Sequence, residues 1–401
     1  MGIFSDSLSV EWSQYERAAG VLRALFSLPE AGVPASVRVS VDGTEVLKAP
    51  AVPKDDGRVR VNVHTHLLDD GAHKIDLRLT QGRREWTAVA RVETRNDGGV
   101  GPQVRAALRA HGVPLAFVGD CDASHYAAAQ VSVTAWVDAP DAEERISAKL
   151  AAGAITASEA EMLRRFVRDG FVILDELLPE PMVERANAAL DEAIAQGYQG
   201  YRFGDSTRLE QMHVHFPAVR DIWLYPPVHR FLSLVFGAPS RPCQSLVYVF
   251  GSQQDAHQDT IHLTPFPAGL MCGVWIALED VQPGSGELVV HPGSHRLPRV
   301  YMHEAGCAKV SGDWSEFGAK VVGRWAQMLR ESGITPMPYL AKRGQILIWH
   351  ENLMHAGSIR SDPSLSRRSI VTHHFAEGVI AYYDSSGDVG YVYPEPVPLA
   401  G

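Results

Sequence analysis

The chain is poor in cysteine and has no arrangement that would pair the few it has. Cys121, Cys243, Cys272 and Cys307 are scattered over 401 residues, and no CxxC occurs. That argues against a disulfide framework or a cysteine-based zinc site and fits a reducing cytoplasm. Basic blocks are lacking too. The formal net charge is -10, which argues against nucleic acid and anionic membrane surfaces as main partners. No apolar run approaches the ~20 residues of a membrane span. The first residues show no basic-then-apolar leader, and Asp6 stands where a myristoylation pattern wants Ser or Thr. The expectation is a cytoplasmic protein. No G-x-S-x-G elbow, P-loop or dinucleotide fingerprint appears, so there is no support for serine-hydrolase or nucleotide chemistry.

What is present is a long chain with many scattered glycines and prolines, 35 and 25 of them, the composition of a strand- and turn-rich protein of two domains. An amphipathic stretch covers 12–28. From 35 to 93 the period becomes two: Val37, Val39 and Val41 alternate with polar residues, as do Val59, Val61 and Val63. Asp42-Gly43 and Asp70-Gly71 read as hairpin turns. A β-sandwich-like accessory domain over 1–100 is expected. "VSVDGTEVLKAP" and "LLDDGAHKIDLRL" are similar to accessory sandwich modules beside bacterial carbohydrate-active enzymes, which hints at a glycan or cell-surface pathway. A spacer for packing or for a homodimer is the plainer role.

The run Asn96-Asp97-Gly98-Gly99-Val100-Gly101-Pro102 predicts a boundary, followed by a connecting segment over 101–150 with a helix starting near Asp138. Thr156 or Ser158 caps the next helix, and Leu163, Phe166 and Val167 form its apolar stripe. A short buried strand, 171–174, precedes an amphipathic helix over 179–196. Strands are expected at 244–250, 270–278, 287–291, 344–349 and 368–375, with a partly helical insertion at 301–340. Short strands with long returns behind helices suggest a mainly β jelly roll with helical buttresses, here over 151–401.

Within it, His257-Gln258-Asp259 is answered much later by His355 and then Arg367. Side chains two apart in an extended segment share a face, so His257 and Asp259 can point into one barrel mouth. His355 follows a strand that returns there. Two imidazoles and one carboxylate hold one side of a ferrous ion and leave the other side open. Arg367 supplies a cation suited to a dicarboxylate co-substrate.

Four ordered blocks carry a family resemblance. "FVRDGFVILDELLPEPMVERA", "HQDTIHLTPFPAGLMCGVWIALEDVQPGSGELVVHPGSHRL", "GQILIWHENLMHAGS" and "RRSIVTHHF" resemble the phytanoyl-CoA dioxygenase family of iron(II)/2-oxoglutarate oxygenases over 158–380. The resemblance implies a double-stranded β-helix (jelly roll, cupin-like) and iron ligands at His257, Asp259 and His355. It implies 2-oxoglutarate contacts at Gln258, Trp275 and Arg367. Aligning the last strand on Arg368 is the alternative, and the Arg-basic-small-Ile order favours Arg367. A small polar residue that the family often carries two places after the second histidine falls on Gly357, which makes Ser358 a candidate only with a shift of one residue. Implied with these are Fe(II), 2-oxoglutarate and O2 as cofactor and co-substrates, succinate as co-product, and a small or conjugated metabolite as the hydroxylated substrate. Asp259 as a carboxylate argues against halogenation. A silent jelly-roll binding protein, or desaturation, epoxidation or cyclisation with the same cofactors, are the rival readings.

Other candidates read as supporting residues. His213 and His215 have strand-pair spacing and suit a surface or substrate-facing lid. His262 and Tyr248 could border the pocket or pack in the core. His291 and His295 flank a Pro-Gly-Ser turn. One of His373 and His374 faces inward near the co-substrate. Glu279 and Asp280 are turn residues. The segments 197–225 and 301–340 are the expected lid.

Overall fold

The computed structural model describes residues 5–13, 19–205 and 207–393. Part of the expected amphipathic stretch, 14–18, lies outside them, and its described ends are the strands Glu11–Trp12 and Val21–Ser27.

The period-two valines do form a sandwich. One sheet runs, in spatial order, Ser5–Ser7, Arg84–Thr94, Gly71–Gln81, Ala35–Val41 and Thr44–Pro50. The other runs Glu11–Trp12, Val21–Ser27, Arg58–His64 and Ala116–Val118. Val37, Val39, Val59 and Val61 are at most 1% exposed and share one apolar cluster. Asp42-Gly43 is a hairpin turn as expected; its φ angles of 49° and 83° are the left-handed pair a two-residue turn requires.

Asp70-Gly71 is not a hairpin. The strands on either side of it belong to different sheets, and the chain crosses between them through the short helical turn Thr65–Leu67. Asn96 holds this crossing: its side-chain amide donates to the carbonyls of Thr65 and Leu68, and its backbone N–H donates to Asp70. The actual hairpin lies ten residues on, where Gln81 pairs with Arg84.

The glycine-rich junction follows the strand that ends at Thr94 and starts the helix Gly101–Ala110. A Cβ on Gly99, at φ 57°, would collide with the Glu377 carbonyl. The segment 101–150 is more than a connector. Val104 and Leu108 are fully buried in the main core, and Ala116–Val118 adds an edge strand beside Arg58–His64.

Thr156, not Ser158, caps the helix Ala157–Asp169 in a reciprocal pair with Glu159; Ser158 bonds Asp175. The large sheet of the second half runs Phe171–Ile173, Ile346–His350, Met271–Ala277, Ser369–Ala376, Ser240–Tyr248 and Leu209–Glu210. A small sheet of Met337–Tyr339, Leu288–Val290 and His355–Gly357 completes the jelly roll.

The central strands are buried throughout because both faces are covered. Val274, Ile276, Ile346, Ile348 and Ile370 join the core that includes the helices Ala157–Asp169, Glu180–Ala195 and Pro226–Phe236. Trp275, Leu347, Trp349 and Val371, one residue out of phase, turn inward and cluster with Leu288 and Val290 of the small sheet. That phase decides which residues reach the site. The insertion after 301 carries the helix Gly323–Ser332 and packs Phe317, Val321 and Trp325 on Ile261 and Met354. No helix among the described residues is long and apolar enough to cross a membrane, and the four cysteines are buried and free.

Candidate metal centre

Two backbone segments meet in an isolated antiparallel bridge. His257 and His355 exchange both backbone hydrogen bonds, at 3.0 and 3.1 Å, which sets their rings 4.2 Å apart. Asp259 completes the group: one ligand atom from each of the three lies within 4.8 Å of the others. Its Oδ1 is 3.5 Å from His257 Nε2 and 3.7 Å from His355 Nε2.

The surroundings prepare these atoms for a cation. His257 Nδ1 bonds the Asp255 carbonyl at 2.8 Å and His355 Nδ1 bonds the Leu353 carbonyl at 3.0 Å. A carbonyl can only accept, so each Nδ1 carries the proton and each Nε2 presents a lone pair. Burial lowers His355 to about 4, so it is neutral at ordinary pH. Burial pushes Asp259 up, but the imidazoles packed around it, His355 with His257 and His373, outweigh it and hold the carboxyl well below its usual range. The other oxygen, Oδ2, receives Trp349 Nε1 at 2.8 Å and lies 3.4 Å from His373 Nε2. Gln244 Nε2 donates to His373 Nδ1 at 2.9 Å, which leaves the His373 proton on the nitrogen facing Asp259. Oδ1 is thereby left for a metal. Two imidazoles that anchor Nδ1 on carbonyls and turn Nε2 inward, with an oriented carboxylate, fit ferrous iron.

These residues open on a cavity of about 450 Å³, which is also lined by Tyr248, Trp275, Arg367, His262 and Trp314. Arg367 is 3% exposed. It donates to the Gly286 carbonyl at 3.0 Å and to Ser369 at 3.4 Å, and its Nε has no partner. Burial lowers it to about 10, so it remains a cation. No carboxylate lies within ion-pair distance of it among the described residues. Tyr248 and Trp275 each stack 5.6 Å from its guanidinium, and the Trp275 indole nitrogen is also unpartnered. Arg368 faces the other way and pairs with Asp191 at 2.8 Å.

Two expected co-substrate contacts fall elsewhere. Gln258 points away from the cavity: it donates to the Pro298 carbonyl and accepts from Val300 N–H and Trp325 Nε1. Strand alternation between His257 and Asp259 turns it to the back, where it anchors the insertion. Ser358 does not line the cavity either; Gly357, in phase with His355, does. A Cβ on Gly357 would run into the hydroxyl of Ser252, which itself lines the cavity.

His213 is buried against Trp223 with its ring on Ser245, while His215 is exposed. The pair lies on a helical turn, Met212–Val214, so the two side chains do not share a face. His262, lowered to about 4 by burial, and Tyr248 both line the cavity. His373 faces in and His374 faces out against His229. His295 bonds the Val167 carbonyl, a structural role. Glu279 and Asp280 accept backbone N–H groups of Arg368 and Arg343 as turn residues.

Trp349, Gln244 and Arg208 are site residues that sequence reasoning passed over. Trp349 had a signal: it sits opposite Gly273, where any Cβ would meet the indole ring.

A mainly β jelly roll whose mouth gathers two imidazoles, one carboxylate and a buried unpaired arginine has the fold and donor set of the cupin-like iron/2-oxoglutarate oxygenases. Residues 166–369, half of the chain, match the family model "Phytanoyl-CoA dioxygenase (PhyH)", and the chain belongs to that family. Mouse phytanoyl-CoA dioxygenase domain-containing protein 1 is 28% identical over 167 residues, 40% of this chain and 54% of the relative. The ectoine dioxygenase of Nocardia farcinica (strain IFM 10152) is 28% identical over 221 residues, 51% of this chain and 74% of that one. The chain thus spans about half the length of the mouse relative. Among solved structures, the carbocyclase SnoK of nogalamycin biosynthesis aligns with TM-score 0.47 and 19% identity over 59% of this chain and 89% of that one.

Proposed function

We propose that this chain is an iron(II)/2-oxoglutarate-dependent dioxygenase that hydroxylates a small or conjugated metabolite, with 2-oxoglutarate converted to succinate. The observation that carries it is the convergence of His257, Asp259 and His355 within 4.8 Å on the cavity that holds the unpaired Arg367. His257 Nε2, His355 Nε2 and Asp259 Oδ1 would hold the metal. When bound, iron(II) and 2-oxoglutarate would activate O2, which supplies the oxidising power, with CO2 lost as 2-oxoglutarate becomes succinate.

The chain's own residues do the rest. Arg367 pairs with the far carboxylate of the co-substrate; its fixed fork suits a planar anion. Trp275 and Tyr248 flank that arginine and keep water from it. Trp349 and His373 hold Asp259 Oδ2 and so leave Oδ1 for the metal. Trp314 and Phe317 from the insertion add apolar surface to the cavity wall, against which a substrate would displace water. Desaturation, epoxidation and cyclisation would use the same donors. Hydroxylation is proposed because it asks nothing of the chain beyond holding a C–H group over the metal.

The test is anaerobic titration of the full chain with ferrous iron and 2-oxoglutarate. A weak visible charge-transfer band is expected, followed by succinate formation on admitting air. A chain that gives no band is a silent jelly-roll binding protein.

A further inference from the structure

The cavity wall is more basic than the metal and co-substrate require. The chain carries a formal charge of -10, yet the charged groups lining the cavity among the described residues are Arg208, Arg367 and Asp259, its histidines aside. A divalent iron, the Asp259 carboxylate, the Arg367 guanidinium and dianionic 2-oxoglutarate sum to zero. Arg208 is left over.

Arg208 has two protein partners: its Nε donates to Glu210 at 2.8 Å, and the Tyr248 hydroxyl on the cavity wall also bonds its guanidinium. Glu210 is not part of the cavity wall, and the Arg208 and Glu210 side chains are about half exposed, at 47% and 51%. Such an ion pair is worth roughly 0–1 kcal/mol. The Glu210 contact uses Nε, and with Tyr248 it positions the guanidinium at the cavity wall while leaving N–H donors of its fork for an anion, which can bond two of them at once.

The cavity also carries an aromatic wall. Trp314 is 51% exposed despite its size, and it packs edge-on against Phe317 at 5.2 Å between ring centres. His262 lies 5.9 Å from Trp314 and 5.3 Å from Phe317. An indole left half bare at the mouth of a pocket offers a stacking surface to a ligand.

We infer that the molecule oxidised here is an organic anion: its flat apolar part lies against Trp314 and Phe317, and its carboxylate or phosphate reaches Arg208. This rests on the iron and 2-oxoglutarate reading of the same cavity, and the test keeps the two separate. The full chain is held under nitrogen with iron(II) and saturating 2-oxoglutarate, and calorimetry follows 2-naphthoate, 2-naphthyl phosphate and the neutral 2-naphthamide. At least one anionic probe should bind ten-fold or more tightly than the amide, and the tighter of the two identifies the acid group preferred. Arg208→Met should erase the preference, Arg208→Lys should keep most of it, and Glu210→Gln, which frees Arg208, should tighten the anionic probe.

Equal binding of acid and amide, no binding by any of the three, or a preference that survives Arg208→Met would overturn the inference. Should Arg208→Met fail to fold, a Glu210→Gln chain with no gain for the anion would overturn it as well. A missing charge-transfer band in the unaltered chain would instead overturn the iron and 2-oxoglutarate reading.

Discussion

His257 and His355 face each other across a single antiparallel bridge, each imidazole pinned by its Nδ1 to the carbonyl two residues before it. Backbone pairing and ring orientation are thereby set together, and the free Nε2 atoms converge on Asp259 Oδ1.

His257→Ala or Asp259→Ala should therefore abolish ferrous-iron binding and turnover while the fold persists. In calorimetry with manganese(II) as a stable surrogate, each variant should lose at least a hundred-fold in affinity. Near-normal binding in both would remove this assignment.

Arg367 and Arg368 are neighbours with opposite duties. Arg367 lies inside without a carboxylate, and Arg368 is spent on Asp191 outside. Arg367→Ala should raise the apparent KM for 2-oxoglutarate roughly ten- to hundredfold, the worth of a hydrogen-bonded charge at ~1.5–3 kcal/mol. Arg368→Ala should stay within about twofold. The reverse ranking in initial-rate kinetics would show that the other guanidinium holds the co-substrate.

The sequence announced the metal donors because two-residue spacing and strand ends put them on one face. The strands were legible as short apolar runs bounded by turns, but their inward face was not, since inward Trp275 and Trp349 alternate with equally apolar outward Val274 and Ile348. The same alternation, applied strictly, would have excluded Gln258, which lies between two ligands and so must face the back. Ser358 is out of phase with His355 for an equal reason. The crossing at Asp70-Gly71 was hidden because a two-residue turn motif says nothing about which sheet the next strand joins. The chain Gln244, His373, Asp259 was not legible at all, since it depends on contacts between residues more than a hundred positions apart.

That chain gives the third prediction. Gln244 donates to His373 and so keeps the proton of His373 on the side of Asp259. Gln244→Leu removes the donor without adding charge and lets the ring take its other tautomer, with a lone pair facing a carboxylate. Loss of such an outer partner costs 10- to 100-fold in metal affinity. Manganese(II) affinity should fall by about that factor, with an altered charge-transfer band in the iron form. An unchanged band and affinity would make Gln244 a packing residue only.

The pH dependence of stability should carry the mark of His64. Burial lowers it to about 4, and its neutral ring is fully used: Nδ1 donates to the Pro114 carbonyl and Nε2 accepts from Tyr126 OH. Unfolded, the ring titrates near 6.5, so between about 6.5 and 4 the unfolded chain binds the extra proton. Stability is then full above pH 6.5 and falls as pH drops through that window. At pH 5.5 the loss from this one ring is about 1 kcal/mol relative to pH 7, from 1.36 kcal/mol per unit. Denaturant midpoints of His64→Gln should fall less between pH 7 and 5.5 than those of the unaltered chain; a parallel fall would show that other groups set the slope.

The last prediction concerns the sandwich over 1–100, proposed as an accessory unit. Its Arg23 is 5% exposed and crosses to the jelly roll, where it donates to Asp388 at 2.8 Å and to the Gly387 carbonyl, while its Nε binds Asn62 within the sandwich at 2.9 Å. Ala19 accepts from Ala381 N–H at 2.9 Å, and Ala19 and Val21 are buried in the main core beside Ile380. Ala116–Val118, from beyond the glycine-rich junction, would lose its sheet if the first hundred residues were removed. A chain beginning at residue 101 should therefore expose an apolar face and an unpaired strand, and expression should yield insoluble protein. Arg23→Ala is the milder probe: it leaves the buried Asn62 amide oxygen without its donor, while the Gly387 carbonyl keeps the Cys121 N–H; at about 1–3 kcal/mol it should lower the denaturant midpoint with the metal site intact. If the shortened chain is instead soluble and still decarboxylates 2-oxoglutarate without substrate, the sandwich is a separate domain and the contacts through Arg23 are only its docking surface.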